Sequence, residues 1–146
     1  MRQRPDRDLL VWMAGFFDGE GCVIMRERQR PHRWHLTVTV ANVHREVLDL
    51  FALHFGGRVY RKAKESNPRW RPCWFWAIES RAAHIFVESI SPFVRLKRLQ
   101  VEIVKEFRAT IGTGRKNSIL RTTAQPRREE LRERLTAANH RGLEVN

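Results

Sequence analysis

Two periods of apolar residues alternate along the chain. Helical spacing of apolar residues predicts helices over residues 6–17, 44–55, 81–90, 95–112 and 126–142. Strand-like segments predict two hairpins, with strands at 22–30 and 34–41 and at 58–64 and 72–79. The resulting order, αββαββ followed by further helices, predicts an α+β fold with a weak internal repeat.

The first predicted helix, "DRDLLVWMAGFF", has apolar residues on two sides. Asp6 or Asp8 is a candidate N-cap, and the helix runs to a glycine stop at Gly19. One face collects Leu10, Met13, Ala14 and Phe17, and another collects Leu9, Trp12 and Phe16. A helix that is apolar on both sides is expected to be buried on both sides. The small pair Ala14-Gly15 would let a second helix approach, and if that helix belongs to a second copy, the helix ends meet at a twofold axis.

Length and composition set the class of protein. With 146 residues and 42% hydrophobic content, the chain is expected to form one domain over 1–146, with a core at about 6–112 and a helical tail at 113–146. The first apolar run is too short to span a bilayer and resembles no signal peptide, so we expect an intracellular protein of the cytoplasm, nucleoid or an organelle, not a secreted or membrane one. Cys22 and Cys73 lack the spacing of a zinc site or a disulfide framework.

The charge of the chain favours a polyanionic partner. Lys and Arg number 28 against 16 acids, which gives a net charge of +12. Donor-rich side chains concentrate on the polar faces of the strands and in the basic turn of the second hairpin, a pattern suited to the DNA major groove. A solvated sheet face explains any single arginine equally well.

Trp74 and Trp76 are equally typical of a core, or of a surface that stacks RNA bases. The predicted DNA-binding set is Arg26, Arg28, Arg30, Arg33, His35, Thr37, Thr39, Arg58, Tyr60, Lys62, Lys64, Arg69, Arg71, Trp74 and Trp76.

Two acids follow the first apolar run at once, in "DGEG". Asp18 and Glu20 at a helix C-terminus would face unpaired carbonyl oxygens and the negative end of the helix dipole. A cation such as Mg²⁺ would offset this cost, and a solvated acidic turn is the alternative. With two copies on a twofold axis, two cations would lie beneath the basic sheet, an arrangement that hydrolyses phosphodiesters.

The stretch "MAGFFDGEG" (13–21) resembles the LAGLIDADG motif of homing endonucleases. The αββαββ order resembles that family too, as does "SPFVRLKRLQ" (91–100), and a single motif is typical of its homodimeric group. The resemblance implies a saddle-shaped sheet and a site-specific double-strand DNA endonuclease acting as a homodimer on a long pseudo-palindromic site. A non-catalytic intron RNA maturase or DNA-binding regulator on the same fold is the alternative.

The same resemblance implies roles for individual residues. Glu20 corresponds to the metal-binding acid, with the carbonyl of Gly19 beside it, and the metal is Mg²⁺, for which Mn²⁺ or Ca²⁺ can substitute in binding. Lys97 and Asn42 are the candidates for the other catalytic residues; an exposed lysine on an amphipathic helix is the alternative for Lys97. Asp18 is expected to have a structural role.

The predicted dimer interface is Leu10, Met13, Ala14, Gly15, Phe17 and Asp18. The chain departs from the common motif by having Glu20 in place of Asp, and Met, Phe and Phe in place of Leu, Leu and Ile.

Overall fold

The computed structural model of the chain describes residues 2–27, 33–62, 69, 71–112, 119 and 123–140. Its helices are α1 (Arg7–Glu20), α2 (Arg45–Phe55), α3 (Ser80–Ile90), α4 (Arg98–Ala109) and α5 (Gln125–His140). Its strands are β1 (Gly21–Glu27), β2 (Trp34–Asn42), β3 (Arg58–Arg61) and β4 (Trp74–Glu79), in one antiparallel sheet of order β1-β2-β4-β3. The predicted α+β class and αββαββ order are confirmed. None of the helices within the described ranges is long and apolar enough to cross a bilayer.

The sheet has one face against the helices and one open face. Val38 of β2 pairs with Val23 and Ile78, and Val40 pairs with Trp76, and all of these side chains are buried. Because side chains alternate along each strand, the intervening residues point away from the helices. We call this surface the open face; it consists of Cys22, Ile24, Arg26, His35, Thr37, Thr39, Ala41, Arg58, Tyr60, Phe75, Ala77 and Glu79.

An aromatic cluster fills the space between the sheet and the helices. Phe51 lies 5.1 Å from Trp76 and 5.9 Å from Phe86 between ring centroids, and Phe17 lies 5.7 Å from Phe86. Such pairs add about 0.5–1.5 kcal/mol each beyond the burial of their area. The indole of Trp76 also donates to the carbonyl of Gly56 at 2.7 Å, which ties the end of α2 to the sheet. This cluster joins α1, α2, α3 and β4 into one core.

Helix α1 continues three residues past its predicted end at residue 17. Asp6 is its N-cap, and one carboxylate oxygen accepts from the backbone N–H of Leu9 at 2.9 Å. The helix passes through Gly19 and ends at Glu20, since a glycine in the last turn costs only about 1 kcal/mol relative to alanine. A side chain at Gly21 would collide with the Phe17 ring, so glycine at this position lets the chain turn directly from α1 into β1.

The C-terminal helix α5 packs into the same core, although its sequence is mostly polar. Leu131 and Leu135 are buried, and the buried Arg128 donates to the carbonyl of Thr110 at 2.8 Å, at the C-terminus of α4. A cation at this position satisfies a helix-end carbonyl and complements the helix dipole. At the other end of α5, Asn139 donates to the carbonyl of Val23 in the outer strand β1 at 2.9 Å.

His84 is a buried imidazole in α3. It is only 8% exposed, its ring stacks on Phe107 with centroids 5.7 Å apart, and its Nδ1 has no hydrogen-bond partner among the described residues. Burial, and then the positive charge of Arg108, lower its pKa from 6.5 to about 4. As the pH falls, His84 is therefore protonated in the unfolded chain before it is protonated in the folded chain.

We expect His84 to make the fold sensitive to acid. Its contribution is fully present above about pH 6.5 and is lost as the pH falls toward 4, at a cost of about 3 kcal/mol in the free energy of unfolding. Urea denaturation at pH 7 and pH 4.5 measures the loss. His84→Phe keeps the stacked ring and should flatten the pH dependence relative to wild type, whereas His44→Asn, at an exposed position, should not. Equal pH dependence in wild type and His84→Phe would contradict the assignment.

Candidate nucleic-acid interface and catalytic site

Asp18, in the last turn of α1, is bonded to a distant segment of its own chain. Its carboxylate accepts from the backbone N–H groups of Arg95 (2.8 Å), Leu96 (3.2 Å) and Lys97 (3.1 Å). These bonds hold the turn that precedes α4, which is why α4 begins at Arg98 and not at the predicted residue 95. Asp18 therefore has a structural role within the chain.

Lys97 lies against the C-terminal end of α1. Its ammonium group donates to the backbone carbonyl of Asp18 at 2.7 Å and lies 5.9 Å from the centroid of the Phe17 ring. Its positive charge also partly offsets the rise that burial causes in the pKa of the Cys22 thiol on the open face. Together with the three N–H groups, this cation compensates the helix end and the charge of Asp18 without a metal. The cost of placing a carboxylate at a helix C-terminus, which the sequence indicates, is thus offset for Asp18. The same cost remains to be explained for Glu20.

Glu20 is the exposed last residue of α1. The carbonyls of Phe17 and Asp18 accept from the Gly21 N–H and from Lys97, whereas no described residue donates to the Gly19 carbonyl or to the Glu20 carboxylate. Carboxylate and carbonyl oxygens are the ligands that Mg²⁺ prefers, and this ion keeps several waters and substrate phosphates. The donor set therefore fits Mg²⁺. No group of three His, Cys, Asp or Glu side chains able to hold a metal occurs in the described ranges.

Asn42 ends strand β2 and leads into α2. Its side-chain oxygen accepts from the backbone N–H of His44 at 2.9 Å, which forms a turn just before the helix. Since Gly21 pairs with Val40, Asn42 lies at the end of the sheet where α1 passes into β1. Its oxygen is used by this local turn, and its catalytic role stays a prediction that rests on the amide nitrogen.

The open face brings together much of the predicted DNA-binding set: Arg26, His35, Thr37, Thr39, Arg58 and Tyr60. Four further members are exposed outside the strands, at Arg33, Lys62, Arg69 and Arg71. Arg28, Arg30 and Lys64 lie outside the described residues. The expected inward direction of Val59 is confirmed by its pairing with buried Trp76, so Arg58 and Tyr60 are on the open face.

The prediction for Trp74 and Trp76 is wrong. Trp76 is fully buried, and Trp74 is on the same helix-side face, with the Arg45 guanidinium 4.8 Å from its ring centroid. Three aromatic residues in a row, 74–76, give no alternation from which to read the face. The polar residue Glu79 does give that signal, since counting back from it in steps of two places Phe75 outward. Phe75 is therefore an open-face residue that the sequence analysis missed.

The predicted dimer interface also needs correction. Met13, Ala14 and Phe17 are fully buried in the core of their own chain, so they are not available to a partner. Leu10 is half-buried and Asp18 is bonded to residues 95–97. Gly15 does lie on the free side of α1, with no atom within 4 Å of where a Cβ would stand. The free side is formed by Val11, Trp12, Gly15 and Gly19, because the larger apolar stripe of the helix covers its own sheet.

Comparison with solved structures identifies the fold. The archaeal intron-encoded homing endonuclease I-Vdi141I, solved in complex with DNA, superposes with a TM-score of 0.68 at 18% identity, over 97% of this chain and 91% of that one. The homing endonuclease I-CvuI, solved with its target in the presence of 2 mM Ca, gives 0.64 at 18% identity, over 89% and 81%. The LAGLIDADG meganuclease I-AabMI, bound to uncleaved DNA, gives 0.60 at 19% identity, over 84% of this chain but 43% of that one.

Neither a protein-family model nor a curated protein sequence matches the chain. The structural similarity extends over nearly the whole chain and includes the helix that contains "MAGFFDGE" and the sheet that follows it. The chain has the fold of the LAGLIDADG homing endonucleases.

Proposed function

We propose that this protein is a site-specific DNA endonuclease that cuts both strands of a long pseudo-palindromic site as a homodimer, by hydrolysis that depends on a divalent metal. The observation that supports this most directly is the end of α1. There the exposed carboxylate of Glu20 has no partner among the described residues, and the ammonium group of Lys97 is held near the same helix end. Both lie where α1 enters the basic open face.

The residues of this end would act as follows. The Glu20 carboxylate and the Gly19 carbonyl would hold Mg²⁺, which when bound neutralises phosphate charge and activates water. Lys97 would place a fixed positive charge near the scissile phosphate, because its bond to the Asp18 carbonyl limits its motion. Asp18 would keep Lys97 in place by fixing the backbone of 95–97.

The open face would lie in the major groove. Arginine, histidine and threonine side chains can pair with the donor and acceptor pattern of base edges, and the exposed cations outside the strands can contact phosphates. The solved complexes of I-Vdi141I and I-CvuI with DNA support this use of the fold. The net charge of +12 supports it independently.

Cleavage of a selected duplex tests the proposal. A randomised pool of double-stranded DNA is enriched for binding in Ca²⁺, and the best duplexes are then incubated with Mg²⁺ or with EDTA. We expect one cut in each strand, with a 3′ overhang, only when Mg²⁺ is present. Tight, selective binding without any cleavage by an intact dimer would overturn the nuclease and favour the DNA-binding regulator.

We expect the homodimer to form through the free side of α1, and Gly15 tests this. A Cβ at Gly15 meets open space within the chain, so Gly15→Leu should leave the fold intact, and replacing a helical glycine stabilises the helix by up to about 1 kcal/mol. In the dimer the same side chain would separate two closely packed helices. Light scattering should show a change from about twice 17.3 kDa to 17.3 kDa. Leu53→Ser, at an exposed position of α2, is the control that should stay dimeric. An unchanged dimer of Gly15→Leu would exclude this interface.

A further inference from the structure

An apolar row crosses one end of the open face. Ala41, Phe75 and Tyr60 are register partners on the neighbouring strands β2, β4 and β3. The rest of the open face is richer in hydrogen-bond donors, above all at Arg26, His35 and Arg58. We call these three residues the apolar row.

The two rings of the apolar row are packed against each other. Their centroids are 5.6 Å apart with an angle of 19° between the planes, and the Arg58 guanidinium lies over the Tyr60 ring at 5.0 Å from its centroid. These contacts engage the faces of the Tyr60 ring. Since side chains stand roughly perpendicular to a sheet, a ligand above this surface meets mainly ring edges.

This geometry disfavours one occupant and favours another. An unpaired RNA or DNA base stacks on the face of an aromatic ring, and Tyr60 is here already engaged by Phe75 and by the Arg58 guanidinium. Ring edges and the methyl of Ala41 instead form a small apolar surface. In the DNA major groove the apolar group that base pairs present is the C5-methyl of thymine, and a methylated cytosine has the same group.

We propose that the apolar row recognises a pyrimidine C5-methyl group in each half of the DNA site; this inference rests on the proposed function. Arg58, two residues before Tyr60 on the same strand, is then placed to pair with a guanine. Residues two apart on a strand are separated by about 6.6 Å, and base pairs by about 3.4 Å. The guanine and the methylated pyrimidine are thus expected about two base pairs apart.

Removal of the methyl group from the DNA tests the inference without altering the protein. Duplexes selected in Ca²⁺ are resynthesised with deoxyuridine in place of each thymidine in turn, and binding is measured at equilibrium. We expect one position in each half-site to lose affinity by about fourfold, or by about fifteenfold when both half-sites are changed. At that position 5-methyldeoxycytidine should bind more tightly than deoxycytidine, which separates the methyl group from the rest of thymine.

Two variants assign the effect to the row. Phe75→Ser and Ala41→Ser should each reduce the ratio of thymidine to deoxyuridine affinity at that position toward one. Leu53→Ser, at an exposed position of α2 outside the open face, should leave the ratio unchanged. Selected duplexes that bind tightly but show no loss above twofold with deoxyuridine at any position would overturn the inference alone. Preference for single-stranded nucleic acid, lost in Phe75→Ser, would overturn it in favour of base stacking. Failure to select any duplex would overturn the proposed function and the inference together.

Discussion

Replacement of Glu20 by glutamine is expected to lower the rate of DNA cleavage by about a thousandfold or more while DNA binding survives. Loss of a metal ligand removes several kcal/mol of transition-state stabilisation, and about 4 kcal/mol corresponds to a thousandfold in rate. The substitution keeps the size and shape of a side chain that is exposed and has no partner among the described residues, so the fold should be unaffected. Single-turnover cleavage in Mg²⁺ gives the rate, and binding in EDTA gives the affinity, which can rise slightly because a carboxylate near a phosphate repels it.

Asp18→Asn is the matched control, since it removes the same charge from the same helix end. It weakens the bonds to the N–H groups of residues 95–97, and hydrogen bonds to charged groups contribute about 1.5–3 kcal/mol. The free energy of unfolding should therefore fall, whereas the folded protein should still cleave within about tenfold of the wild-type rate. Near wild-type cleavage by dimeric Glu20→Gln in Mg²⁺ would remove Glu20 from the mechanism and favour a non-catalytic role.

The affinity for DNA is expected to fall by about 10³–10⁵ when the salt concentration rises from about 50 to about 200 mM. A loss of this size corresponds to about six to ten phosphate contacts, each of which adds about −0.9 to the slope of log affinity against log salt. A dimer with a charge of +12 on each chain has enough cations for that number. Titrations in EDTA with a selected duplex give the slope.

Single arginines can be assigned by the same measurement. Arg71→Gln, at an exposed position outside the strands, should make the slope less steep by about 2 in a dimer and weaken binding to all sequences alike. Arg58→Gln, on the open face, should instead relax the preference at one base pair in each half-site. A slope near zero for the wild-type protein would contradict phosphate contacts altogether.

The order of helices and strands was predictable because the spacing of apolar residues along the chain indicates each element locally. Leu36, Val38 and Val40 alternate with polar neighbours, and β2 has the predicted face inward. The motif helix was predictable as well, and its end was misplaced only because Gly19 was taken as a stop. Local patterns of this kind need no knowledge of the rest of the chain.

Features that depend on distant contacts were not predictable. The bonds of Asp18 join residues 77 to 79 positions apart, and nothing in the sequence near either end announces them. For the same reason the sequence could not show which apolar face of α1 is buried within the chain. Only packing against the sheet decides that the face with Met13 is covered and that Trp12 stays exposed. The prediction for Trp74-Phe75-Trp76 failed for a different reason. This run has no polar residue to show which side chains face away from the helices.

The hydrogen bond from Asn139 to the carbonyl of Val23 protects the outer strand β1 from pairing with other chains. An outer strand with free amides and carbonyls can pair with a strand of another chain. By bonding to β1, α5 covers the border of the sheet while leaving the open face clear. A chain shortened before α5 would keep the open face and yet offer β1 to any extended strand that it meets, so we expect it to self-associate.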